Sequence, residues 1–136
     1  MERIYSNIKR GTLLHLVYRC DEIKGRTNVS PIDEFLQLAS IEMSEGDTFK
    51  PHKHIYKKGK DTVIPQESWV VLKGRVKVVM YDLDDTIVAT PILEQGDLSM
   101  TFRGGHNYIA LEEGTLVYEY KTGPYEGQAL DKEFIK

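Results

Sequence analysis

Four side chains dominate the chemistry open to this sequence: His52 and His54, two residues apart, Glu67, and His106. In an extended chain, residues i and i+2 share a face, with Cα atoms about 6.6 Å apart. Residues 48–54, read as a strand, therefore turn two imidazoles toward one point. Two neutral imidazoles and a carboxylate suit one borderline divalent cation: zinc, iron, manganese or nickel. His15 is the one histidine of four outside this scheme. Its apolar surroundings predict a hydrogen-bonded core residue.

Bringing such a cluster together takes strands from distant parts of the chain, and the sequence is rich in them. Runs of strand-forming residues cover 13–18, 35–43, 67–72, 75–81, 86–93, 98–102, 107–111 and 116–121. Turn residues punctuate them, among them Glu45-Gly46-Asp47, Lys73-Gly74 and Gln95-Gly96-Asp97. Many short strands with regular turns predict an all-β sandwich or barrel. Short helices fit only at 21–24 and in the final residues. With Glu67 facing inward, Trp69 and Val71 share its face, and Trp69 is then either an aromatic pocket wall or plain core. The charged stretch 57–61 reads as a solvated loop. Asp82, Asp84 and Asp85 do not make a calcium loop, because Ile87 and Leu93 stand where glycine and glutamate are needed.

Composition narrows the function classes. A chain of 136 residues, 40% hydrophobic and 29% charged, is expected to form one domain over 1–136 with a proper core. Its net charge of −3 argues against nucleic acid as the main partner. No run reaches membrane-spanning length and no secretory leader is visible, so no membrane partner is expected. The lone Cys20 cannot form an internal disulfide. A reducing cytoplasm is the expected location.

Two spacings carry a family resemblance. Five residues separate Gly46 from His52, His54 follows, and six residues separate Glu67 from Gly74. Gly96 is followed after five residues by Phe102-Arg103-Gly104-Gly105-His106. This pattern resembles the two motifs of the cupins. It implies a double-stranded β-helix (jelly-roll) barrel, with a core near 35–120 and short N- and C-terminal extensions. The resemblance also implies one metal held by His52, His54, Glu67 and His106. Three departures stand out. Twelve residues separate His54 from Glu67, so 55–66 should leave the barrel mouth as a loop. Phe102 replaces a usual proline. His106 arrives one residue early, which predicts a bulge at Gly104-Gly105 to restore its facing.

Further stretches, such as Leu13-Leu14-His15 and Gly123-Pro124-Tyr125-Glu126-Gly127, are similar to a branch of small bacterial cupins found among surface-polysaccharide and nucleotide-sugar proteins. The resemblance implies a small sugar-like ligand and a metal-dependent isomerase or epimerase. Two alternatives stay open: a non-catalytic metal- and sugar-binding module, and a metal-independent nucleotide-sugar isomerase using His52 and His54 as acid and base. Candidate pocket residues are Trp69, Arg103, Tyr108 and Tyr118. Arg103 would meet a carboxylate or phosphate, or else pair with a nearby acid. A tyrosine would clamp the ligand or move a proton. A homodimer is implied, with the strand at 13–18 pairing with a partner and residues 1–11 reaching across.

Overall fold

Period-two alternation explains most of the architecture. A computed structural model describes residues 1–57, 59 and 63–136. The first two strands, β1 (Glu2–Tyr5) and β2 (Leu13–Val17), form an antiparallel hairpin of their own. A single 3-10 turn, Cys20–Glu22, falls close to where a short helix was expected. Then come β3 (Arg26–Asn28), β4 (Leu36–Met43), β5 (His52–His54), β6 (Glu67–Lys73), β7 (Val76–Tyr81), β8 (Ile87–Ala89) and β9 (Ile92–Leu93). The chain ends with β10 (Leu98–Thr101), β11 (Gly105–Ala110), β12 (Thr115–Thr122), one helical turn α1 (Gln128–Asp131) and β13 (Lys132–Phe134).

Two antiparallel sheets face each other. One runs β10-β6-β12-β4-β3; the other runs β13-β5-β11-β7-β8, with β9 also on β7. Consecutive strands repeatedly change sheet, which makes the jelly roll. At Lys73-Gly74-Arg75 the chain passes from one sheet to the other. Gly74 has φ of 80°, and a Cβ there would collide with the Thr115 hydroxyl. Only glycine meets both conditions. The stretch 86–93, read as one strand, is two. Pro91 has no N–H for the ladder and breaks it, while its carbonyl accepts from the Val78 N–H at 2.9 Å.

Between the sheets, β6 alternates Glu67, Trp69 and Val71 inward, as its reading as a strand implies. Ile41, Met43, Trp69, Val71 and Val117 from one sheet meet Val76, Val78, Leu93, Tyr108 and Ala110 from the other. The tail goes beyond expectation: after the short helix, β13 pairs with β5, setting Lys132 opposite His54 and Phe134 opposite His52. The described residues of 55–66 carry neither helix nor strand, in keeping with a loop. Within it Lys57 is buried, not solvated, and its ammonium donates to the Pro124 carbonyl at 2.6 Å. Lys58, Lys60 and Asp61 lie outside the described residues. His15 is exposed on the hairpin and is not a core histidine, because β2 belongs to neither large sheet. No helix among the described residues is long and apolar enough to cross a membrane.

Candidate metal centre

Strand geometry aims the histidines. In β5, His52 and His54 turn inward while Lys53 turns out to an ion pair with Asp85 at 2.7 Å. On the neighbouring β11, His106 sits directly opposite His52. Residues opposite each other in an antiparallel ladder share a face, so the third imidazole joins the first two. The register through Gly105 and His106 is continuous, so the bulge expected at Gly104-Gly105 is absent. The one-residue difference is taken up before the strand begins. There Gly104 has φ of 79° and passes so close to the Tyr81 carbonyl that no side chain would fit. The carboxylate arrives from the opposite sheet, at the first position of β6.

All four residues are buried, and one donor atom from each lies within 4.8 Å of every other. His106 Nε2 is 3.2 Å from His52 Nε2 and 3.3 Å from Glu67 Oε1, and His54 Nε2 is 3.2 Å from Glu67 Oε2. Each Nδ1 is occupied on the outer side. His52 Nδ1 meets the Lys50 carbonyl at 3.0 Å, His106 Nδ1 the Thr101 hydroxyl at 2.9 Å, and His54 Nδ1 the Asp131 carbonyl at 3.2 Å. The Asp131 carboxylate also stands 3.4 Å from His54 Nδ1. Anchoring Nδ1 in this way directs the Nε2 lone pairs inward, which is how metal-binding imidazoles are usually oriented. Glu67 is held in turn by the Trp69 indole N–H, which donates to Oε1 at 3.0 Å. Three convergent imidazole nitrogens and a carboxylate fit one borderline divalent cation, and this group could hold one.

The same packing splits the protonation of the two strand-mates in the metal-free protein. Burial, reinforced by the neighbouring His106, pulls His52 down to about 4. Burial opposes the charge on His54 as well, but hydrogen bonds to Asp131 and Glu67 overcome it and hold this imidazole at about 9. Glu67 is also opposed by burial, yet bonds to His106 and His54 keep it ionised well below the usual carboxylate range. A neutral imidazole thus stands beside a cationic one, with an anion across from them.

Beside the cluster opens a cavity of about 330 Å³ whose lining includes His52, Glu67, Trp69 and Tyr108. Trp69 and Tyr108 stack face to face, centroids 3.9 Å apart and planes 6° from parallel. Trp69 is therefore both cavity wall and core. The Tyr108 hydroxyl lies 3.1 Å from the Ser99 hydroxyl, and burial pushes its pKa above the usual range. Two other candidates are not brought to the site. Arg103 lies in the exposed bend before β11, away from the cavity lining, and forms no ion pair among the described residues. Tyr118 belongs to the outer face of β12, where it packs on Tyr18 and Tyr120. In their place the cavity is lined by Arg26, Glu119, Lys121 and Lys132, none of them singled out in the sequence. Glu119 and Lys121 follow Val117 at period two, a signal that could have found them. Asp131 and Lys132 stand in the tail with no local signal.

No protein-family model and no curated protein matches this sequence. Solved structures do. KdgF from Halomonas sp. is 19% identical, with 74% of this chain and 80% of that one covered and a TM-score of 0.57. CapF from Staphylococcus aureus, a capsular polysaccharide assembling protein, is 15% identical over 74% of this chain, with a TM-score of 0.60. The aligned part is only 28% of CapF. A Klebsiella pneumoniae protein with a double-stranded β-helix domain is 11% identical, covers 90% of this chain and 99% of its own, and has a TM-score of 0.63. At such identities the shared property is the fold: this chain is a double-stranded β-helix (jelly-roll) barrel.

Proposed function

We propose that the protein holds one divalent transition metal through His52, His54, Glu67 and His106 and uses it on a small, oxygen-rich, sugar-like molecule. The observation that carries this reading is the convergence of three Nε2 atoms and one carboxylate, with every Nδ1 anchored on the far side. Bound there, the cation would supply Lewis acidity to a carbonyl or hydroxyl oxygen of the ligand. The chain's own residues do the rest. Lys50, Thr101 and Asp131 fix the imidazole rings, and Trp69 fixes the carboxylate. The Trp69–Tyr108 stack walls the cavity on one side and limits water. A place in surface-polysaccharide or nucleotide-sugar metabolism is part of this reading, supported by the likeness to CapF. So is a cytoplasmic homodimer, for which exposed Ile4, Tyr5 and Leu14 on the N-terminal hairpin offer apolar surface.

A second reading has an observation of its own. His52 near 4 and His54 near 9 are neighbours in opposite protonation states, the arrangement of a general base beside a general acid. On that reading the pair would isomerise a sugar without metal. Thermal melts in chelator and in added zinc, manganese, iron or nickel separate the two. The metal reading expects a fall in Tm in chelator and a rise in added cation that continues with the logarithm of free cation beyond one equivalent. A Tm indifferent to both chelator and cation would favour the acid–base pair.

A further inference from the structure

The cavity beside the metal cluster carries charge that the cluster does not use. Arg26 and Glu119 neutralise each other through two contacts, Nη2 to Oε1 at 2.6 Å and Nη1 to Oε2 at 3.3 Å. Lys121 is matched by Asp131 at 2.9 Å. Lys132 is left: among the described residues it has no ion pair, and it lines the same cavity as His52 and Glu67. Its direction follows from register. Lys132 stands opposite His54 in the antiparallel β13–β5 ladder, so the two share the inner face, while Glu133 pairs with outward Lys53.

A partly buried ammonium without a counterion costs free energy unless a ligand supplies the opposite charge. A divalent cation with one carboxylate ligand would add a further net positive charge at the same wall. We propose that Lys132 is the anion-recognising residue of this cavity and that its ligand is a small molecule bearing a carboxylate. This rests on the reading that the ligand enters the cavity beside the four-residue cluster. Two features favour a carboxylate over a phosphate. The guanidinium fork of Arg26, which suits phosphate, is already engaged by Glu119. One lysine is a point charge suited to a singly charged group, and at about 330 Å³ the cavity is at the small end of ligand sites.

The test is calorimetric titration of the purified full chain with matched probes, its metal content measured in parallel. Gluconate and sorbitol share a polyol chain and differ in the carboxylate; malonate and malonamide form a second pair; sorbitol 6-phosphate is the phosphate arm. At least one acid should bind about tenfold or more tightly than its neutral partner and more tightly than the phosphate. Lys132→Met should erase that difference with metal content unchanged, and Lys132→Arg should keep most of it. Equal binding of acids and neutral partners, preference for the phosphate, or an unchanged preference in Lys132→Met would overturn the assignment. Lys132-dependent acid binding by a protein without metal would support the assignment while sinking the metal reading.

Discussion

The interior of this barrel has two ends built from the same strands. Along β6 the inward residues run Glu67, Trp69, Val71; along β11, in the facing sheet, they run His106, Tyr108, Ala110. Each strand passes from an ionisable residue through an aromatic one to an aliphatic one. At the aliphatic end, Val71, Val76, Val78 and Val117 are completely buried and supply the packing. At the other end, burial works against the groups it encloses, and hydrogen bonds must offset it. The Trp69–Tyr108 stack is the boundary between the two. The contrast shows that one period-two pattern can write stability and chemistry into the same strands, a few residues apart.

The boundary is the place to break this division. Trp69→Ala removes a buried aromatic and the indole donor to Glu67 together. Urea denaturation should show a loss of about 3–5 kcal/mol, the usual cost of such a deletion. A loss under 1 kcal/mol would mean that the stack seals nothing.

A second comparison uses pH in the metal-free protein and concerns only the polar end. His52, depressed to about 4, binds fewer protons folded than unfolded, so stability should fall as pH drops from about 6.5 toward 4. His54, raised to about 9, binds more protons folded than unfolded, so its contribution is complete below about 6.5 and lost as pH rises through 9. Stability should therefore peak near pH 6.5 and decline by about 3 kcal/mol on each side. A flat profile from pH 4 to 9 would show that the two imidazoles do not differ.

A smaller effect sharpens the account of the polar end alone. Asp131 is buried, with Oδ1 lacking a hydrogen-bond partner among the described residues. Its other carboxylate oxygen and its carbonyl steady His54. Asp131→Asn should weaken metal binding about 10- to 100-fold, measured by competition with a chromogenic chelator. It should also lower the urea midpoint of the metal-free protein near neutral pH, because it removes the partner of Lys121 and part of what holds His54 cationic. Unchanged affinity would remove Asp131 from the site.

Legibility in the sequence follows the same contrast. The inward set Glu67, Trp69, Val71 was readable because it needs only alternation, and the turn glycines because backbone conformation demands them. Tyr118 was misjudged because β12 inverts the usual rule. Its tyrosines face outward, toward Leu13 and Leu14 of the N-terminal hairpin and Tyr18 just after it, while Glu119 and Lys121 face inward to a polar cavity. Arg103 was misjudged because its direction depends on the bend at Gly104, which spacing alone does not set. Asp131 and Lys132 were invisible because the tail's choice of β5 as partner is purely tertiary.

The central claim is that four donors from two facing sheets bind one ion. Elemental analysis of the wild type, His52→Ala and Glu67→Ala, each loaded with zinc or manganese and desalted, tests it most directly. The expected result is about one metal per wild-type chain and at least a tenfold lower content in each variant. Stoichiometric metal in both variants, or none in the wild type, would contradict it.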